Sequence, residues 1–260
     1  MAVMRGLAGK RVVVTGGSSG IGEATARRFL AEGASVAIMA LPDDQLPAAA
    51  GRLPALAGAI AVNVAHADDV ERAFRDIDDL LGGIDVLIAN AGISIRHRFT
   101  DITPEEWRRV LSVNLDGVFH CAQAAARRMV APGPDGHPAG GVILVTASTN
   151  ALVGHPLYAD YNASKAGLLA LVRTMALELA PDVRVNAVAP GYVLTPMQRA
   201  EYTQEMFLAV DRRLPLGRHA EADEIAALFA FLASADAAYI TGTVIPIDGG
   251  ETAGGIASRD

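Results

Sequence analysis

Cysteine is almost missing from this chain: Cys121 stands alone among 260 residues. That excludes an internal disulfide and fits a reducing compartment. Aromatic residues are scarce, at 5% against 51% hydrophobic overall. Alanine, valine and glycine dominate instead, a composition that suits helices packed closely on a parallel sheet. Basic runs are absent and the net charge is −7, which gives no support for a nucleic-acid partner. The six histidines are scattered, no His/Cys cluster has metal-ligand spacing, and no catalytic metal is expected. No apolar stretch is long and clean enough to span a bilayer, and no basic-then-apolar signal segment opens the chain. The expectation is a soluble cytoplasmic protein without a membrane partner.

What is present is a regular alternation. Strand-like apolar runs fall at Arg11–Thr15, Ser35–Ala40, 59–62, 85–89, Gly141–Thr146, 183–188 and Val244–Ile247. Helix-like segments lie between them, at 21–32, 68–81, 104–130, 161–179 and 222–232. Thr103 is placed to cap the long helix 104–130, with Pro104 at its first position. The pattern predicts an α/β fold of Rossmann type: a doubly wound parallel sheet with helices on both faces. No linker divides the chain, so residues 1–260 are read as a single domain. Residues 132–140 read as a surface loop. Residues 192–214 follow a Pro190-Gly191 turn at a strand end and are expected to form a mobile helical lid. The small, polar tail 251–260 is expected to be partly disordered or to pack on a neighbour.

Two clusters carry chemistry. The first is the turn Thr15-Gly16-Gly17-Ser18-Ser19-Gly20-Ile21-Gly22, at the first strand–helix junction. Glycine allows a tight turn and the close approach of a pyrophosphate, and the helix N-terminus then offers free N–H groups and a positive dipole end. Ser18 and Ser19 add hydroxyl donors. The second is Tyr161 and Lys165, one helical turn apart on one face, with Ser148 thirteen residues upstream of the tyrosine at the end of the fifth strand. Free tyrosine has a pKa of about 10, too high for a base at neutral pH, and a nearby ammonium favours the phenolate. A drop of about three pH units requires about 4 kcal/mol of differential stabilisation. Ser148 would hold the substrate oxygen by hydrogen bond. Together these residues point to hydride chemistry at a hydroxyl or carbonyl carbon.

Seven features in the right order give the chain a specific resemblance to the classical short-chain dehydrogenase/reductase family, over nearly its whole length. They are the Thr-Gly-x-x-x-Gly-x-Gly turn, Asn90-Ala91-Gly92 after the fourth strand, Asn114 in the long helix, Ser148, the Tyr161/Lys165 pair, Pro190-Gly191 with Thr195, and Asp248-Gly249-Gly250. The resemblance implies that Asn114, Ser148, Tyr161 and Lys165 are catalytic. Asn114 would help hold a water that joins Lys165 to bulk, Lys165 would bond the nicotinamide ribose, and Thr195 would bond the carboxamide. It implies dinucleotide contacts at Gly16, Ser18, Ser19, Gly20, Ile21, Gly22, Leu41, Asn63, Val64, Asn90, Ala91, Gly92, Pro190, Gly191 and Val193. It also implies a homotetramer, and the helices 104–130 and 161–179 carry more alanine and leucine than one core face needs.

The choice of dinucleotide is argued from charge. NAD-specific relatives usually end the second strand with Asp or Glu; this chain has Ala40-Leu41-Pro42, then Asp43 and Asp44. The next basic residue is Arg52, so a 2′-phosphate would meet two carboxylates and no obvious cation. NAD is favoured, with NADP as the alternative. The family's adenine-side aspartate is replaced by Asn63, whose amide can still accept and donate. The substrate is expected to be a small secondary alcohol or ketone, such as a diol, sugar acid or cyclic alcohol, touching Ser94, Ser148, Asn150, His155 and Tyr192. One alternative is an NADPH-dependent 3-oxoacyl-thioester reductase. The other is a dinucleotide-sensing protein that has lost the chemistry.

Overall fold

Small and β-branched apolar residues build the strands, and most are buried on both faces, as a parallel sheet covered by helices requires. The strands are β1 (Arg11–Thr15), β2 (Ser35–Ala40), β3 (Gly58–Ala61), β4 (Val86–Ala89), β5 (Gly141–Thr146), β6 (Val183–Pro190) and β7 (Val244–Ile247). In this computed structural model, which describes residues 4–133 and 136–254, they form one parallel sheet in the order β3-β2-β1-β4-β5-β6-β7. The order reverses between β1 and β4, and the crevice outside the strand ends there is where this class of sheet holds ligands.

Side chains alternate across the sheet. Val13, Leu87, Ile143 and Val145 face one apolar cluster, with α3 (Ala67–Leu81), α5 (Gly117–Met129) and α6 (Ala159–Glu178). Val12, Val14, Ile88 and Leu144 face the other, with α1 (Gly20–Ala31), α2 (Gln45–Arg52) and α9 (Ala222–Ala233). Among the described residues no helix is long and apolar enough to cross a membrane.

The expected alternation is present, and the structure refines it at four places. Helix 104–130 is not uniform: α4 (Pro104–Leu111) and α5 are joined by a π-helical turn at Ser112–Asp116. The wider turn carries Asn114 into the interior, where it is fully buried. Thr103 does cap α4, in a reciprocal pair with Glu106. The second is α2, in a stretch to which the sequence pattern assigns no element; its Pro47 sits in the first turn, where no helical N–H is lost. Third, 192–214 folds as two short helices, α7 (Pro196–Glu201) and α8 (Gln204–Asp211), capped by Thr195 and Thr203. Fourth, β5 stops at Thr146, and Ser148 instead starts a short 3-10 turn. The end of the tail, 255–260, and positions 134 and 135 of the loop lie outside the described residues.

Candidate active site

The glycine turn is built by necessity. Gly16 and Gly20 have φ of +63° and +53°, where a side chain is strained. A Cβ on Gly22 would lie 2.0 Å from the Gly16 carbonyl oxygen. Ser19 precedes α1 with its hydroxyl uncommitted to capping, so the first N–H groups of the helix are offered to the groove. This cradle fits a dinucleotide pyrophosphate. The groove above it has a volume of about 340 Å³.

Two asparagines tie the strand ends together. Asn90 donates to the carbonyls of Thr15 (3.2 Å) and Gly16 (3.4 Å), and accepts from the Thr146 hydroxyl at 3.0 Å. Thr15 Oγ1 in turn accepts the N–H groups of Asn90 and Ala91. Asn114 clamps one residue from both sides: Oδ1 accepts from Ile93 N and Nδ2 donates to Ile93 O, each at 2.8 Å. Gly92 lies between Asn114 Oδ1 and Lys165 Nζ, 3.3 and 3.6 Å from where its Cβ would stand.

Lys165 is buried and donates from Nζ to the Thr146 carbonyl at 2.7 Å. The ammonium sits over the Tyr161 ring, 5.6 Å from its centroid, rather than against the hydroxyl. Burial brings the Lys165 ammonium down to about 8. The Tyr161 phenol, by contrast, is pushed up to about 12: burial raises it most, a hydrogen bond from Ser148 opposes, and the Glu201 carboxylate adds to the rise. The expected lowering of the phenol by the neighbouring ammonium is thus not the dominant influence; burial is. Ser148 Oγ also accepts from Asn150 N at 3.1 Å, which fixes its orientation.

Beside the groove opens a smaller cavity of about 150 Å³. Thr146, Tyr161 and Thr195 line both, so the two spaces meet at the tyrosine. All five expected substrate residues, Ser94, Ser148, Asn150, His155 and Tyr192, line this cavity. Gly16, Ser18, Ser19, Gly20, Ile21, Leu41, Asn63, Val64, Asn90, Ala91, Gly92, Lys165 and Thr195 line the groove. Pro190, Gly191 and Val193, expected on the dinucleotide, line the smaller cavity instead, because β6 runs on to Pro190 and delivers them there. Gly22 and Asn114 line neither space; they pack behind the turn and beneath Gly92. Asn63 has its Oδ1 engaged by Ala65 N at 3.1 Å, which leaves its NH₂ for a base.

Sequence reading missed three things. Arg52 is not remote: α2 folds it back so that it pairs with Glu23 through two bonds (2.8 and 2.7 Å) and reaches the Ser18 carbonyl at 3.2 Å. Glu201, at the end of α7, enters the cavity and accepts from Ser94 Oγ and Tyr158 Oη. Glu251 reaches Thr149 Oγ1 and stands 3.2 Å from His155 Nε2. Glu201 arrives from a segment without a local motif, and Glu251 follows directly on Asp248-Gly249-Gly250. Among the described residues, no group of three or more His, Cys, Asp or Glu could hold a metal ion, and burial pushes the Cys121 thiol up to about 12.

A family model described as enoyl-(acyl carrier protein) reductase matches residues 16–252. The chain is 40% identical over 251 residues to a glucose 1-dehydrogenase of Gluconobacter oxydans, covering 94% of this chain and 92% of that one. It is 39% identical to a meso-2,3-butanediol dehydrogenase of Serratia marcescens, over 94% and 95% of the two chains. It is 37% identical to a 3-oxoacyl-(acyl-carrier-protein) reductase of Thermotoga maritima, over 94% and 98%. Among solved structures, a short-chain type dehydrogenase/reductase from Mycobacterium marinum superposes with a TM-score of 0.86 at 38% identity, over 95% of this chain and 97% of that one.

Proposed function

The chain belongs to the classical short-chain dehydrogenase/reductase family and is an NAD(P)-dependent oxidoreductase, and on that premise we propose that it interconverts a small secondary alcohol and its ketone with Tyr161 as general acid/base. The observation that carries this reading is the position of Tyr161, where the dinucleotide groove and the smaller cavity meet. A bound nicotinamide supplies the hydride acceptor or donor. The chain's own residues do the rest. The glycine turn and the α1 N-terminus hold the pyrophosphate. Ser148, fixed by Asn150, holds the substrate oxygen against the Tyr161 hydroxyl. In oxidation Tyr161 takes the hydroxyl proton; in reduction it returns it. Lys165, held by the Thr146 carbonyl beneath the ring, stabilises the phenolate, and Asn114 fixes the backbone that Lys165 borders.

NAD is the favoured dinucleotide. Arg52, the cation that α2 brings to the glycine turn, is committed to Glu23, while Asp43 lines the groove. Both arrangements disfavour a 2′-phosphate. We also read residues 1–260 as one domain that assembles as a homotetramer. The exposed Trp107, Phe119 and Leu177 on α4, α5 and α6 support that assembly.

The likeness to the Thermotoga maritima reductase keeps a second reading, reduction of a 3-oxoacyl thioester. The small cavity, with Ser94, Ser148, Asn150 and Glu201 on its wall, favours the first. The test is Tyr161→Phe. We expect turnover to fall at least a thousandfold while dinucleotide binding, followed by fluorescence, stays within about threefold. Unchanged turnover would remove Tyr161 from the reaction. Preference for a thioester over every simple ketone would favour the second reading.

A further inference from the structure

The proposed reaction needs a hydroxyl or carbonyl at Tyr161 but leaves open what else the substrate must carry. Glu201 bears on that point. It is the last residue of α7, in the segment that covers the cavity, and its carboxylate turns inward. It accepts from Ser94 Oγ on one side and from Tyr158 Oη at 2.8 Å on the other. Both partners are hydroxyl donors, not cations. A carboxylate has about four lone-pair sites and can only accept, so it retains room for further O–H donors. Its charge reaches the reacting centre, since it helps raise the Tyr161 phenol.

A second carboxylate lies behind the cavity lining. Glu251 lies against Gly191 and accepts from Thr149, with His155 beside it. Glu251 thus stands behind Thr149 and His155, which line the cavity, whereas Glu201 lines it directly.

We propose that Glu201 is a specificity-determining residue that binds a second hydroxyl of a neutral, polyhydroxylated alcohol, while the first is oxidised at Tyr161. The inference rests on the oxidoreductase reading above and sharpens it. A sugar or diol supplies the O–H donors that the carboxylate lacks, and charge-assisted bonds of this kind are among the stronger ones. A mono-alcohol leaves the carboxylate with its two internal partners and gains nothing from it. An anion such as a sugar acid meets like charge at Glu201 and is disfavoured. This narrows the expected substrates by removing sugar acids.

The experiment compares wild type with Glu201→Gln and Glu201→Asp, using glucose and 2,3-butanediol, cyclohexanol, and gluconate as polyol, mono-alcohol and anion. NADH binding by fluorescence reports that each variant is folded. In Glu201→Gln we expect the polyol-to-cyclohexanol ratio of kcat/KM to fall at least tenfold, chiefly through KM, and gluconate to gain relative to glucose. Glu201→Asp keeps the charge and shortens the reach, so it should lose the polyol preference and still turn gluconate away. A uniform fall on all substrates, or unchanged ratios, would overturn the proposal while leaving the oxidoreductase reading intact. If wild type binds NADH yet oxidises none of these alcohols and reduces none of their ketones, both fall together.

Discussion

Lys165→Met separates what the buried lysine does for catalysis from what it costs the fold. The ammonium is held in the interior, and burial lowers it from 10.5 to about 8. At about 1.36 kcal/mol for each pH unit, charging it there at pH 7 costs the native state about 3 kcal/mol. Methionine, of similar length and uncharged, removes that cost. It also leaves the Thr146 carbonyl without its 2.7 Å donor, a loss of about 1–3 kcal/mol. The two nearly offset at pH 7, where the variant should be as stable as wild type or more stable by up to about 2 kcal/mol.

The sign of the pH dependence is the sharper test. A depressed lysine pKa gives stability that is present above 10.5 and lost as pH falls through 8. Wild type should therefore gain on the variant by about 2.5 kcal/mol between pH 7 and pH 10. The Tyr161 phenol titrates at higher pH still and largely cancels in the difference. Urea unfolding at matched protein concentration at both pH values measures this, and turnover at pH 7 should be lost in parallel. A stability difference that is the same at pH 7 and pH 10 would refute the claim that an uncompensated ammonium is stored at this position.

Gly22→Ala places a methyl group 2.0 Å from the Gly16 carbonyl and should weaken NADH binding at least a hundredfold or unfold the turn, read by fluorescence titration and circular dichroism. Parallel titrations should show NADH binding at least tenfold tighter than NADPH; the reverse order would overturn the charge argument built on Asp43 and the Arg52–Glu23 pair. Light scattering at micromolar concentration should report four chains, and a stable monomer would defeat the assembly reading.

Local signals carried most of the architecture. The alternating apolar runs placed the strands of the parallel sheet, because a strand buried on both faces must be continuously apolar. Turn and cap residues such as Gly33 and Thr103 placed the helix ends. The cluster of Ser148, Tyr161 and Lys165 was legible because helical spacing sets Tyr161 and Lys165 together, and the turn just past β5 brings Ser148 beside them. The residues that escaped are those whose role depends on long-range folding. Arg52 looked distant until α2 turned it onto the glycine turn. Glu201 and Glu251 sit far along the chain from Ser94 and Thr149, and only tertiary structure makes them neighbours. The Tyr161 phenol was misjudged for a related reason: spacing reveals that an ammonium is near, but not that it lies over the ring, nor how dry the site is.

The wide turn at Ser112–Asp116 has a mechanical consequence. Asn114 grips Ile93 by both its peptide groups, so the backbone flanking the groove is fastened to the same rod that displays Trp107 and Phe119 outward. The outward-facing Trp107 and Phe119 are therefore carried by one helical run, joined to the groove wall beside Lys165 through a single amide side chain.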